Sequence, residues 1–337
     1  MEKISKKINE SKALRWGILI LVGFILSVNY YFYDAFSTLK DLLQAEFNFT
    51  NTDYGLFVSF YSIPNTFLLM AVIGGIFLDK LGIRRTGFTF VFFMAFGALL
   101  TAYGASEYYG SGGLGYKLFS SFWTGKSPEL KMMLLGRFFF GLGAETTIVV
   151  VSKILVKWFK GKDLALAFGL KVGFGRLGTV AALQISPVLA RDGANLSGAI
   201  WLAAILVLTG LLAFIIYMLF DAKYDKASQQ ENITADKEEE KFAIRDVFSL
   251  LSNRAYLYIA LICVTFYSAV FPFVAFAPDF FYHRFGINTL ESGKITSLLP
   301  LGTMLFTPLF GFLIDRKGRS ATAMIIGAAT LLFVHLI

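Results

Sequence analysis

One cysteine stands in 337 residues, so no disulfide can form within the chain and the framework of a small secreted domain is excluded. Histidine is almost as scarce, with two. His283 falls in a polar connection and His335 lies near the end of the sequence. With one cysteine they make no metal-ligand spacing, and no phosphate-cradling Gly-Lys loop or nucleophile–base pattern accompanies them. Enzyme chemistry has no foothold here: no catalytic residue, metal or cofactor is assigned, and an ATP-driven pump is disfavoured. Charge is the third shortage. Charged residues make up 16% of the chain, where soluble domains carry about 25%. The net charge of +8 would suit nucleic acid, but no aromatic-basic motif is present, and basic loops at a membrane surface account for it better.

What the chain has in excess is apolar residues, 56% of the total with 37 phenylalanines. They fall in nine blocks, near 14–36, 54–79, 87–105, 132–156, 164–190, 199–220, 255–281, 294–314 and 321–337. Blocks of about 20 residues cross a bilayer as helices. They do not alternate as the strands of a membrane barrel would. The first block is too long for a signal peptide, lacks a small-residue cleavage site and is followed by further spans. Lysines and arginines number 20 on the side of the N-terminus and 6 on the other, which places the N-terminus in the cytoplasm. The reading is an all-α, multi-pass membrane protein with membrane lipid as its surroundings.

Residues 1–220 hold six spans and form a first half. Residues 221–252 are polar and read as a cytoplasmic linker, whose part Phe242 to Leu251 has near-helical apolar spacing suited either to the membrane surface or to a solvated strand of chain. Residues 253–337 begin a second half. A pattern recurs across the two. After span two come Gly75, Asp79, Gly82, Arg84 and Arg85; after span eight come Gly311, Asp315, Arg316, Gly318 and Arg319. Each copy lies on the basic side, two spans into its half, which implies parallel halves related by an axis along the membrane normal. The first glycine permits close helix approach, the aspartate can pair with a base or cap a helix, and the second glycine allows a tight turn. Such a device can lock one conformational state.

These residues resemble the loop signature of the major facilitator superfamily, although Ile83 delays the first basic pair by one position. Arg137-Phe-Phe-Phe-Gly141 is similar to the superfamily's span-four motif, while the Gly-Pro signature of drug–proton antiporters is absent from span five. A narrower resemblance runs from about Tyr33 to the end. Tyr61-Ser-Ile-Pro64-Asn65, Gly143-Ala-Glu145, Trp158-Phe159-Lys160-Gly161-Lys162, Arg176-Leu-Gly178 and Ala269-Val-Phe271-Pro272-Phe273 look like the lysosomal dipeptide transporter family of animals and its bacterial relatives. The resemblance implies the twelve-helix major facilitator fold, with spans ten to twelve not in this sequence. It also implies facilitated movement of dipeptides, in a lysosomal membrane if the source is animal and a cell membrane if bacterial. An accessory membrane subunit is neither required nor excluded by the residues.

Charges inside the hydrocarbon region are costly and normally face the bundle interior. Glu145 lies 14 residues into span four from Lys131 and Arg176 lies 13 into span five from Asp163, each about 20 Å deep at 1.5 Å per residue. They can offer opposite charges at one depth, Arg176 to a carboxylate and Glu145 to an amine. The alternatives are a structural salt bridge that locks spans four and five, and a pair that forms when the site is empty and exchanges partners when substrate binds. Lys171 either competes for Glu145 or lines the inner vestibule. Arg137 is assigned a structural role, Lys153 reaches for the inner surface, and Asp34 suits an outer gate or simple solvation. Tyr33, Tyr61 and Tyr267 can hydrogen-bond in a cavity, and Asn65 beside Pro64 lines the cavity or bonds between helices. Pro272 marks a bend suited to a gate. A transporter of dipeptides by alternating access is the first reading. Arg176 near Glu145 opposes its protonation and favours uniport over proton symport. A carrier of sugars or organic anions is a second reading, and a transport-inactive receptor or scaffold a third.

Overall fold

The computed structural model describes residues 12–161, 163–230, 252–317 and 320–336, and among them every regular element is helical. Span one is Lys12–Asp34, followed by a 3-10 turn at Ala35–Thr38 and a short helix at Lys40–Phe47. Spans four to nine are Pro128–Phe159, Leu164–Ala190, Leu196–Gln230, Arg254–Phe285, Thr289–Lys317 and Ser320–Leu336. Six helices among the described residues are long and apolar enough to cross a membrane. Local chemistry sets several of their ends. Pro128 opens span four, where no N–H is needed, and the Ser127 hydroxyl accepts from Leu130 N–H. Asn253 caps span seven, which ends on Gly286 in the left-handed conformation.

Span two departs from the continuous helix its apolar block predicts. It is built from Asn51–Phe60, Ile63–Phe67 and a third piece that starts at Met70. Pro64 cannot donate to the helical ladder, and Leu69 sits at φ 49, a left-handed conformation that no helix continues through. The third piece runs on to Gly104 through a kink at Gly82, φ 78 and ψ 171. That backbone is open to glycine alone without strain, and it turns span two (51–81) into span three (83–104) with no intervening loop. Span seven, in contrast, stays helical through both Pro272 and Pro278.

The first six spans pack tightly where side chains are missing. A Cβ on Gly143 would meet the carbonyl oxygen of Phe90 and the amide of Met94, and one on Gly97 would meet the amide of Phe140. Spans three and four therefore touch backbone to backbone. Span one meets span five in the same way, since a Cβ on Gly178 would strike the Ser27 carbonyl. The Ser27 hydroxyl donates to Phe174 O at 2.8 Å across that seam.

Two expectations need correction. Gly75 has open space around it, and the glycine that approaches span four is its neighbour Gly74, where Thr146 fills the gap. The helix of span six continues past residue 220 to Gln230, so the first ten residues of the stretch read as linker are its inner end. Asp221 there is buried. The proposed surface segment Phe242 to Leu251 lies outside the described residues.

Contacts between the first six spans and the last three are concentrated at the end of the bundle opposite the basic loops. Lys40 Nζ pairs with Asp279 at 2.6 Å, and a Cβ on Gly293 would meet Leu183 O. Gln184 donates to Ser297 Oγ at 2.9 Å. The seam between spans five and eight reaches Gly173 and Met304. Closer to the basic end, Leu166, Leu170, Leu305 and Phe306 are exposed. Among the described residues, the polar contacts that join the two sets of spans lie at the Lys40 end.

Candidate functional site

The broken segment of span two puts Tyr61 against span four. A Cβ on Gly141 would collide with the Tyr61 carbonyl, so the bare glycine lets the break sit directly on the helix that carries Glu145. From there the Tyr61 hydroxyl donates to Glu145 Oε1 at 2.5 Å, a charge-assisted hydrogen bond. The Tyr33 ring lies 4.6 Å from the Tyr61 ring.

Asn65 sits one turn further along the break. Both polar atoms of its amide are buried and neither has a hydrogen-bond partner among the described residues. A buried unpaired amide costs about 1–3 kcal/mol, so the position favours a polar visitor over an apolar one.

Tyr30 is the residue that sequence reasoning missed. It packs on bare Gly175 of span five. The charges of Glu145, Arg176 and Asp34 all act on its hydroxyl, as does Tyr267 of span seven. Tyr30 therefore lies within electrostatic reach of the acidic group of span four, the basic group of span five and an aromatic of span seven. Tyr267 itself is exposed, with its ring stacked on Phe271 at 5.1 Å. The signal was available: Tyr30, Tyr33 and Asp34 are spaced i, i+3, i+4 and share a helix face.

Other predicted residues stand around this site. Lys171 donates to Ser152 Oγ at 2.6 Å and to Ile148 O at 3.4 Å, which ties spans five and four together on the basic side of Glu145. Arg137 is wholly buried. Its guanidinium lies over the rings of Phe57 at 4.8 Å and Phe36 at 5.0 Å, with Tyr33 and Tyr61 slightly further away. Its Nε reaches Phe57 O at 3.4 Å. A cation boxed by aromatic faces is held by their quadrupoles, so Arg137 fastens the first piece of span two to span four.

At the basic end Asp79 pairs with Lys153 at 3.5 Å. Arg84 reaches Asp225 at 3.1 Å and Asp221 at 3.8 Å, while Lys157 binds both aspartates at 2.7–2.8 Å. With Gly82 and Arg85 these residues line a cleft of about 620 Å³. Asp221 and Asp225 were hidden from sequence reasoning by their place in a stretch that reads as linker. Of the second copy of the motif, Gly311, Asp315 and Arg316 fall on the helix of span eight; their side chains, and Gly318 and Arg319, lie outside the described residues. At the opposite end Asp41, Asp279 and His283 bring ligand atoms within 4.8 Å of one another. The Lys40 ammonium already neutralises Asp279 there, so the group reads as a charge latch between the two sets of spans.

Replacing Tyr61 with Phe removes one donor from Glu145 and leaves its carboxylate in place. A hydrogen bond to a charged group contributes roughly 1.5–3 kcal/mol. The expected result is a rise of about tenfold in half-saturating substrate, read in an uptake titration; an unchanged value would show that Tyr61 does not orient Glu145.

Comparison with known proteins agrees with this architecture. The sequence profile of the Major Facilitator Superfamily matches residues 19–337. The chain is 27% identical over 96% of its length to the lysosomal dipeptide transporter MFSD1 of Mus musculus, and 28% identical over 95% to that of Danio rerio. It spans 66% of the length of each of those proteins. A solved structure of a bacterial homologue of the human drug peptide transporters PepT1 and PepT2 superposes with a TM-score of 0.56 at 15% identity, covering 88% of this chain and 71% of that one. At that identity the likeness speaks for the fold. A helical membrane bundle with a charged interior, matched to one profile over nearly its whole length, belongs to the Major Facilitator Superfamily of transporters.

Proposed function

We propose that this chain moves dipeptides or small zwitterionic peptides across a membrane by alternating access, and does so as a uniporter. The observation that carries the reading is the Tyr61–Glu145 hydrogen bond, with Arg176 and Tyr267 within electrostatic reach of Tyr30 and the unpaired Asn65 amide one turn beyond Tyr61. A zwitterion needs an acid for its ammonium and a guanidinium for its carboxylate, and a neutral sugar or a simple anion would leave one of these charges unanswered. The likeness to lysosomal dipeptide transporters supports the same substrate class. Alternating access is supported by the Lys40–Asp279 pair, a contact between the two sets of spans at one end of the bundle. The basic excess on the N-terminal side favours a cytoplasmic N-terminus, so that contact faces outward.

The test is uptake of a labelled neutral dipeptide into proteoliposomes containing the full-length protein, with and without a pH gradient. Saturable uptake that unlabelled dipeptides compete and that the gradient leaves unchanged is the expected result. Gradient-dependent uptake would replace uniport with proton symport. Competition by sugars or organic anions, with dipeptides ineffective, would overturn the substrate class.

A further inference from the structure

The connection between spans three and four, residues 105–127, has no part in the candidate site. It is nonetheless built with care. On its inner side Tyr109 is fully buried, its ring against Tyr103 and Tyr116 and its hydroxyl donating to Pro128 O. Lys131 donates to the carbonyls of Phe119 and Phe122, and Lys126 pairs with Asp53 of span two at 2.5 Å. The connection is thus pinned at several points to the bundle.

Its other side is apolar and uncovered. Leu114 is 84% exposed and Leu118 64%, and Tyr108, Phe122 and Trp123 are exposed beside them. Trp123 adopts φ 51, a conformation costly for a bulky residue. That conformation is held by the Lys126 amide on the Trp123 carbonyl and by Lys131 on its neighbour. Water gives no reason to hold an indole in that posture on the surface.

The helix leading into this connection supplies the occupant. Phe88, Phe92 and Phe96 recur every fourth residue along span three, all exposed, with Phe92 stacked on Phe96. Such a stripe on a transmembrane helix faces lipid, and it runs towards Tyr103 and Tyr108, where the connection begins. Leucine with tyrosine and tryptophan at a span end is the composition that settles at the boundary of hydrocarbon and headgroup.

We propose that residues 108–123 form a membrane-interface anchor, seated in the leaflet at the Lys40 end of the bundle through Tyr108, Leu114, Leu118, Phe122 and Trp123. The anchor fixes the seam between spans three and four against the bilayer, while spans one, five, seven and eight carry the contacts that open and close.

The test is nitroxide accessibility in the full-length protein reconstituted into bilayers. In a Cys263→Ser background, single labels are placed by Leu118→Cys and, separately, Leu114→Cys. Ile205→Cys on the exposed face of span six gives the lipid limit, and Lys160→Cys in the loop after span four gives the water limit. Each variant is first shown to be folded by its elution profile and its uptake. The anchor predicts that labels at 114 and 118 are relaxed by oxygen and lose relaxation by water-soluble nickel chelate, as at 205. Nickel access equal to that at 160 would overturn it in favour of a solvated loop. Exclusion of both reagents would overturn it in favour of a protein partner.

Discussion

Dipeptide uptake falls at least about 30-fold when Arg176 becomes Ala, and falls as far when Glu145 becomes Gln. Removing one partner of a charge contact desolvated by a bound peptide costs roughly 2–5 kcal/mol, and each 1.4 kcal/mol is a factor of ten. Glu145→Gln is almost isosteric, so its loss reports charge and leaves packing intact. The two variants part company when the substrate is modified. Arg176→Ala loses its preference for a free over an amidated carboxyl terminus, while Glu145→Gln loses its preference for a free over an acetylated amine. The competing view is a salt bridge that only joins spans four and five. It predicts that the exchanged pair Glu145→Arg with Arg176→Glu restores uptake. Recovery in that double variant would sink the substrate-binding assignment, because a peptide's two ends sit in fixed relation to the rest of the site.

The second large effect is on folding. Gly143→Leu leaves the membrane-inserted helices individually intact but prevents spans three and four from seating, since even a Cβ there meets Phe90 O and the Met94 amide. Neither obstacle is the end of a flexible side chain. Overpacking a close interior seam commonly costs 1–3 kcal/mol, and a backbone-to-backbone contact has less room to relax than that range assumes. The expected outcome is loss of the monodisperse peak on size exclusion and a melting temperature lower by several degrees than for Gly143→Ala. Gly75→Leu, at a position with open space around it, serves as the contrast and leaves both measurements close to those of the parent. Equal behaviour of the two leucine variants would show that spans three and four do not touch as described.

Much of this was legible in the chain because bilayers impose a simple rule: backbone polar groups must be satisfied within each span, so length and hydropathy show where helices lie. Glu145 and Arg176 stood out for the same reason, as charges where charge is costly. The break in span two was harder to see. Pro64 hinted at it, but the left-handed turn at Leu69 has no residue signature, since leucine is no turn former. Tyr30 was missed because its importance arises from Gly175, 145 positions away, and pairings at that separation are made by tertiary packing. The Asp221–Asp225 network was obscured by composition: a charged run after an apolar block looks like linker until the ion pairs that hold it in helix are known. The glycine at the seam with span four was placed one residue late, because Gly74 and Gly75 are equivalent in sequence and differ only in which way the helix turns them.

The seam between spans one and five has a consequence for how the protein is made. The hydroxyl of Ser27 waits for the carbonyl of Phe174, 147 residues later. At ribosomal rates of about 5–20 residues per second that is an interval on the order of ten seconds. Throughout it, span one must remain in the bilayer with Asn29 and Asp34, both buried in the finished bundle, still lacking their helical neighbours. Span one is therefore enclosed only well after its own synthesis, and during assembly it is the natural client for whatever shelters polar residues in the lipid.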